Sequence, residues 1–435
     1  MKKAPVIMLF LLLFGAAGGI FMLLGKNDSA TPAEIVRPDG CSSFQIKENR
    51  GKMAVNVFWD ASCSMSGYAV LPEKNIYRNL PDCLEDIGGS MGEITFYRFG
   101  EKVTKLSGRQ HRAFSNPDSH TEVITAVHKV IDEADTDKLT IIVSDLFEGD
   151  ADWSNISRKI KEKYFAAHKS AAIIGIKNPF KGKLYDIGLN AATLYYDSGN
   201  NPEKYHPFYL LLLGDAEKIN EFIERWQGRY GTETETMYAV FSETLIKNVV
   251  DFSNMRIGET VNFYPDETIG LPDNNCREYG INDMRKEAVF ETAFEYSPYL
   301  GSCYAENGKL QARLRLFAMN EDGTWEEING EKIKCEIKAD TEKERCNIVT
   351  VKLLPEESFK AEKINFLHIE IIPEKRGLKV PRWLSLWNMT NLEVNNAFDG
   401  AKTPNILRLS ESIFDAMLDA VQPTIADINL VIKTK

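Results

Sequence analysis

The segment that decides the fold reads VFWDASCSMSGY over residues 57–68. Asp60 directly follows an apolar strand, and the hydroxyl side chains of Ser62 and Ser64 come two and four positions later. Hydroxyls at alternate positions of an extended loop can face one point, and oxygen ligands around one point suit a hard cation such as Mg²⁺. A serine-rich loop that caps the next helix would use the same residue types. The pattern predicts a metal site at a strand end, with a capping loop as the alternative.

Strands and helices alternate on both sides of this segment. Runs of Val and Ile, such as KLTIIVSD at 138–145, are separated by amphipathic stretches such as TEVITAVHKVIDEA at 121–134. Near-continuous apolar strands with helices between them are typical of a sheet covered on both faces, so the predicted fold class is α/β, with a doubly wound, mainly parallel sheet. Sites in such sheets form at the carboxyl ends of strands, where Asp60 and Asp145 fall.

The stretch DASCSMSGY, which begins at Asp60, resembles the D-x-S-x-S signature of von Willebrand factor A (vWA) domains. That family adds a threonine from a later loop and an aspartate from a later strand end, and Thr121 and Asp145 stand at these places. His120 occupies a position where the family often has glycine. The resemblance implies a vWA/Rossmann-like domain over residues 51–230. It also implies a metal-ion-dependent adhesion site for Mg²⁺, or for another divalent cation such as Mn²⁺ or Ca²⁺. The implied ligands are Asp60, Ser62, Ser64, Thr121 and Asp145.

The predicted ligand set leaves the cation incompletely coordinated. Two carboxylates balance the charge of a divalent cation, and Mg²⁺ takes six oxygen ligands and keeps several waters. A carboxylate from a binding partner is the natural occupant of a remaining position. We therefore expect a divalent-cation-dependent protein-binding module of the adhesion or scaffold type, and no enzyme.

Two other functions stay open at the level of sequence. A metal-dependent hydrolase for phosphoryl transfer could use Asp60 and His120, but it needs a positive cluster or a second metal to stabilise developing charge. A structural envelope protein with a vestigial site is the other. The sequence contains no phosphate-binding glycine loop, no zinc-ligand spacing and no nucleophile elbow.

The composition and the N-terminus restrict the partners and the location. The chain of 435 residues has 52 basic and 63 acidic side chains, a net charge of −11, which makes nucleic acid an unfavourable partner. Residues 5–24 carry no charge and are long enough to cross a bilayer. We expect a single-pass transmembrane signal-anchor at 1–26 with a cytoplasmic N-terminus, a linker at 27–50, and the bulk of the chain outside the cytoplasm. A cleaved signal peptide is the alternative.

The second half of the chain is predicted to be rich in β-structure. A connecting segment covers 231–282, and a sandwich-like domain with a short terminal helix covers 283–435. Residues 332–352 form a predicted hairpin, and a turn centred between Asp340 and Thr341 places Cys335 opposite Cys346. Directly opposed strand residues are close enough for a disulfide, so we expect either that bridge or two buried thiols.

Overall fold

The structure is a computed structural model, and it describes most of the chain after residue 50. The described residues are 37–39, 41, 51–72, 74–147, 152–188, 190–245, 256–257, 263–265, 276–281, 283–295, 297–304, 310–343, 346–374 and 377–434. The predicted anchor at 1–26 lies outside them, as does the linker at 27–50 apart from residues 37–39 and 41. Among the described residues, none of the helices has the length and apolar character needed to span a membrane.

The elements alternate as expected in the first half and are mainly strands in the second. The strands are β1 Val55–Asp60, β2 Ile94–Phe99, β3 Val103–Lys105, β4 Leu139–Ser144, β5 Ser170–Asn178, β6 Lys181–Ile187, β7 Ala192–Asp197, β8 His206–Gly214, β9 Thr236–Phe241, β10 Arg256–Ile257, β11 Phe263–Pro265, β12 Cys276–Ile281, β13 Ala288–Glu295, β14 Leu310–Met319, β15 Trp325–Ile328, β16 Lys334–Ala339, β17 Cys346–Leu353, β18 Ile364–Pro373, β19 Asn388–Met389, β20 Thr403–Pro404 and β21 Ala426–Thr434. The helices are α1 Ile76–Met91, α2 Val127–Glu133, α3 Asp152–Lys163, α4 Ala216–Tyr230, α5 Pro355–Ser358, α6 Arg382–Leu386, α7 Asn391–Asn396 and α8 Ile406–Ala420.

A seven-stranded sheet forms the first half, in the order β3-β2-β1-β4-β8-β5-β9. Four of its strands, β1, β2, β4 and β5, run in one direction, and the other three run the opposite way. This is a mixed α/β fold in which the majority of the strands of the first sheet point the same way. Only β1, β2 and β4 are parallel neighbours, because β8 is inserted antiparallel between β4 and β5. The chain passes from β5 to β8 through the β6–β7 hairpin, without the long helical crossover that connects parallel strands, and β8 runs antiparallel to β5.

Helices cover both faces of this sheet. Side chains from α1 and α4 pack with Val57 and Trp59 in one buried cluster. Side chains from α2, α3 and α8 pack with Phe58 and Ile142 in the other. Successive strand residues point to opposite faces, which explains why neighbours in β1 belong to different clusters. The late helix α8 packs against α3, so the C-terminal part of the chain covers a face of the first sheet.

The two C-terminal sheets have four and six strands, in the orders β10-β13-β17-β16 and β11-β12-β21-β18-β14-β15. Their inward side chains, such as Phe290 in β13 and Ile369 in β18, belong to the same buried cluster as Phe58. One continuous core therefore joins both halves. The edge strand β9 of the first sheet lies beyond residue 230, within the segment 231–282 that the sequence predicts to be a connection.

The predicted hairpin exists, but its register differs from the prediction. Cys335 pairs with Val351, and Cys346 lies across from Asp340, whose backbone N–H donates to the Cys346 carbonyl at 2.8 Å. The Asp340 carboxylate accepts the backbone N–H groups of Glu342, at 2.8 Å, and Lys343, at 3.3 Å. This capping places Asp340 at the start of the turn, which moves the turn centre toward residue 343. The predicted Cys335–Cys346 bridge is wrong, and both residues are free cysteines.

Candidate metal site

Two buried carboxylates stand at the carboxyl ends of adjacent parallel strands. Asp60 is the last residue of β1 and is fully buried, and Asp145 follows β4 and is 4% exposed. The register of Trp59 with Val143 brings the two strand ends level with each other. The sequence therefore predicted correctly that both acids lie at one edge of the sheet.

Hydroxyl and amide groups surround the Asp60 carboxylate. Its Oδ1 accepts the backbone N–H of Ser62 at 2.8 Å, and its Oδ2 accepts the hydroxyl of Ser144 at 2.8 Å. The hydroxyl of Thr125 donates to Oδ2 at 3.2 Å. Ser144 was not singled out from the sequence, although strand alternation could have found it, since it faces the same side of β4 as Ile142 does and neighbours Asp60.

Ser62, Ser64 and Asp145 complete the cluster. The hydroxyl oxygens of Ser62 and Ser64 lie 3.1 Å apart, and Ser64 and Asp145 line the same small cleft. Asp145 accepts the backbone N–H of Phe147 at 3.2 Å. Four of the five residues predicted as ligands, Asp60, Ser62, Ser64 and Asp145, thus lie together at this edge of the sheet.

The fifth predicted residue, Thr121, is exposed, and the threonine that contacts Asp60 is Thr125. The sequence predicts a helix across 121–134 with Val123 and Ile124 on its apolar face, whereas α2 begins at Val127. Both apolar side chains are in fact exposed, and the residues before Val127 form a loop. Thr125 therefore takes the position just before the helix that the resemblance implies for Thr121.

The two acids of the site repel each other when both are ionised. Burial, followed by the nearby Asp145, raises the pKa of Asp60 to about 7, and burial raises the pKa of Asp145. Neither carboxylate forms an ion pair with a basic side chain in the part of the chain that the structure describes. Two buried acids without a counter-charge are unfavourable when both are ionised, and either protonation of one acid or a bound divalent cation would remove that cost.

The donor set fits a hard cation rather than a soft one. Carboxylate and hydroxyl oxygens are ligands that Mg²⁺, Mn²⁺ and Ca²⁺ accept. Across the described ranges, no group of three or more histidine, cysteine or acidic side chains is placed to hold a metal. The candidate site has two acids, so hydroxyls, waters or a ligand from outside must supply the remaining positions.

His120 belongs to a buried aromatic cluster. Its Nε2 lies 2.9 Å from the hydroxyl of Tyr77, which accepts the Trp59 indole N–H at 2.8 Å, so the tyrosine donates to the imidazole. The other ring nitrogen lies 3.3 Å from the Pro117 carbonyl and donates to it. Burial lowers the pKa of His120 to about 4. Both of its nitrogens are thus engaged, and the imidazole is neutral at physiological pH.

A narrow cleft opens beside Ser64 and Asp145, with a volume of 10 Å³, roughly the space of one water molecule. Leu184 and Tyr185 of the β6–β7 hairpin line it, together with Thr403 and Pro404 from the C-terminal half. The Tyr209 hydroxyl donates to Thr403 at 2.9 Å, and His206 bonds the Gly400 carbonyl at 2.5 Å. Nothing in the sequence indicated that segment 400–404 lies beside the site.

Comparisons with known proteins give no family for this chain. No protein-family model matches it, and no curated protein matches it. Among solved structures it is similar to a family 123 glycoside hydrolase from Clostridium perfringens, described in a study of glycolipid glycan hydrolysis. That similarity has a TM-score of 0.20 and 10% identity, and it covers 43% of this chain and 27% of the hydrolase chain.

Proposed function

We propose that this protein is a membrane-anchored binding protein of the vWA type that captures a partner's carboxylate through a divalent cation. The observation that carries the proposal is the pair of buried acids, Asp60 and Asp145, ringed by hydroxyls and without a basic partner among the described residues. Mg²⁺, or alternatively Mn²⁺ or Ca²⁺, would be held by these acids with Ser62 and Ser64, and with Thr125 in place of Thr121.

The charge of the proposed site supports carboxylate capture. Two acids neutralise a divalent cation without saturating it, and hydroxyls are neutral ligands. An additional anionic oxygen from a partner can therefore fill an open coordination position of the loaded site, whereas the two acids of the empty site repel it. The anchor at 1–26 would hold this binding module at the membrane surface, and this part of the proposal rests on the apolar sequence alone.

A hydrolase that uses Asp60 and His120 is the weaker proposal. Its base would have to be His120, and the imidazole is already engaged by the Tyr77 hydroxyl and the Pro117 carbonyl. A general base must reach the proton that it removes, directly or through one water. We therefore favour a binding protein over an enzyme.

Thermal unfolding with and without the cation tests the proposed site. We expect millimolar Mg²⁺ to raise the melting temperature of the wild-type protein relative to a chelated sample, since a cation that binds only the folded state stabilises it by RT ln(1 + [Mg²⁺]/Kd), about 2.7 kcal/mol at 100 times Kd. Asp145→Ala should lose this shift. In the chelated state the variant should be as stable as wild type or slightly more stable, because one of two like charges has been removed.

Asp118→Ala is the matched control, because Asp118 is an exposed acid close in sequence to the site loop. This variant should keep the full cation shift. A wild-type protein whose melting temperature ignores Mg²⁺, Mn²⁺ and Ca²⁺ would contradict the proposal and favour a structural protein with a vestigial site.

A further inference from the structure

Exposed apolar side chains are concentrated around the candidate site. Within the described residues, seven large apolar side chains are substantially exposed, and five of them lie in the three segments that border the site. We call these five the apolar rim: Val70, Val123, Ile124, Tyr185 and Tyr195. The remaining two, Leu386 and Leu392, lie in α6 and α7. A group of exposed apolar side chains in neighbouring segments is typical of an interaction surface, whereas single exposed apolar side chains are normal on any protein.

Val123 and Ile124 project from a loop that is fastened to the site at both ends. On one side, Glu122 exchanges backbone hydrogen bonds with Ala61 and Cys63, at 2.9 and 2.8 Å. On the other side, Thr125 donates its hydroxyl to Asp60. Between these attachments Val123 is 90% exposed and Ile124 is 53% exposed. The loop thus presents two β-branched side chains to solvent directly beside the proposed cation.

The β6–β7 hairpin carries two exposed tyrosines, Tyr185 and Tyr195. The hairpin packs on the short 3₁₀ helix Cys63–Ala69, so tightly that a Cβ on Gly182 would lie 2.9 Å from the Gly67 Cα. Tyr185 is 38% exposed and lines the cleft beside Ser64 and Asp145, and Tyr195 is 62% exposed. Tyrosine is well suited to a docking surface, because it offers a large ring at low cost in conformational entropy.

The charge of the chain restricts what can dock there. With a net charge of −11, the protein repels a strongly acidic partner, so one carboxylate at the cation is favourable and a run of acids is not. The cleft beside Ser64 and Asp145 has a volume of about one water molecule, so it offers little room for further contacts with a partner. Contacts beyond the single carboxylate must then come from the apolar rim.

We propose that the apolar rim is the docking surface for a partner protein loop that projects one carboxylate flanked by bulky apolar side chains. The carboxylate would reach the cation, and the flanking side chains would pack on Val123, Ile124 and the two hairpin tyrosines. This inference rests on the proposed function and adds the kind of partner that the site selects. Burial of apolar area is the contribution that distinguishes such a loop from an acidic residue in a polar context.

Cyclic peptides test the proposal with defined probes. One peptide displays aspartate between two leucines, a second displays it between two serines, and a third has asparagine between leucines. Binding to the full chain in detergent is measured by fluorescence anisotropy with Mg²⁺ and with chelator. We expect the leucine-flanked aspartate to bind about tenfold more tightly than the serine-flanked one, and only with Mg²⁺. The asparagine peptide should not bind.

Two variants separate the apolar rim from the metal site. Val123→Ser combined with Ile124→Ser should remove the preference for leucine while leaving the Mg²⁺-induced melting shift unchanged, because both side chains are exposed. Leu386→Ser is the matched control, since Leu386 is 57% exposed and lies outside the rim, and it should keep the preference.

The outcomes distinguish failure of the rim from failure of the site. Equal binding of the leucine and serine peptides to wild type would overturn the docking surface and leave carboxylate capture standing. Binding of the asparagine peptide as tightly as the aspartate peptide would overturn carboxylate capture itself. A wild-type protein that shows the Mg²⁺ melting shift but binds none of the peptides would overturn both and leave only the metal site.

Discussion

Two pairs of buried polar side chains occupy comparable central positions in the two halves of the molecule. In the first sheet, Asp60 and Asp145 are both acidic and depend on hydroxyl and amide donors. In the six-stranded sheet, His368 and Asn429 are cross-strand neighbours, and the histidine Nδ1 donates to the Asn429 Oδ1 at 2.7 Å. The second pair is held by its own hydrogen bond, although the Asn429 Nδ2 is buried without a partner among the described residues, whereas the two acids of the first pair repel each other when both are ionised.

We expect the neutral pair to have a structural role and the acidic pair to have a role in binding. A buried neutral pair that forms its own hydrogen bond stabilises the arrangement of strands without a bound ion. A buried pair of acids has a cost that either protonation or a bound cation removes, and such pairs cluster at functional sites. The two halves also differ at the surface. The described strands of the two C-terminal sheets include none of the seven exposed large apolar side chains.

Asn429→Ala gives the largest expected change in stability. The substitution leaves the His368 N–H buried without its acceptor, so we expect the free energy of unfolding to fall by about 1–3 kcal/mol. The loss should be the same with Mg²⁺ and with chelator, as measured by urea denaturation. A loss that depended on the cation would show that the two polar pairs are coupled.

The pH dependence of the chelated protein gives a smaller effect. Because the pKa of Asp60 is raised to about 7, above its unfolded value of about 3.9, the folded state holds the extra proton between these values. The free energy of unfolding should therefore fall as pH rises through this window, by on the order of 1 kcal/mol between pH 6.0 and 7.5. Denaturation in chelator at these two pH values checks this. Saturating Mg²⁺ should remove the fall, and Asp60→Asn should flatten it.

A pair of threonine substitutions tests the position that differs from the prediction. Thr125→Val removes the hydroxyl that contacts Asp60 and should weaken Mg²⁺ affinity a few-fold. Thr121→Val, at an exposed position, should leave the affinity unchanged. Titration of the melting shift with Mg²⁺ measures both, and the reverse order of effects would restore Thr121 as the threonine of the site.

The smallest expected effect concerns the free cysteines of the hairpin. Cys335 pairs with Val351, and both hairpin cysteines are free thiols, so added reductant should not shift the melting temperature. Mass spectrometry after alkylation of the unfolded, non-reduced protein should find both Cys335 and Cys346 labelled. A bridged peptide would contradict the observed register.

The sequence predicted best those site residues whose place in the fold follows from their position at the end of a strand. Asp60, Ser62, Ser64 and Asp145 were predicted together, because strand ends of one sheet edge meet in space. Thr121 was chosen in place of Thr125 because Val123 and Ile124 continue an apolar helical period, and periodicity does not show that such side chains are exposed.

Features that depend on turn chemistry or distant contacts could not be predicted. The hairpin register followed from Asp340 capping its own turn, an option that several polar residues at 340–345 offered equally. The packing of Thr403 beside Asp145 is a contact between segments with no shared pattern, and one sequence carries no signal for it.

The segment at 400–404 also has a consequence for how the protein reaches its native state. Tyr209 and His206 bond Thr403 and Gly400 across 194 residues of chain. Contacts of such long sequence separation form late, because the entropy of closing the intervening loop must first be overcome. On a ribosome, the first sheet emerges well before the segment that packs beside Asp145. The cleft thus gains its final walls only after most of the chain has been synthesised.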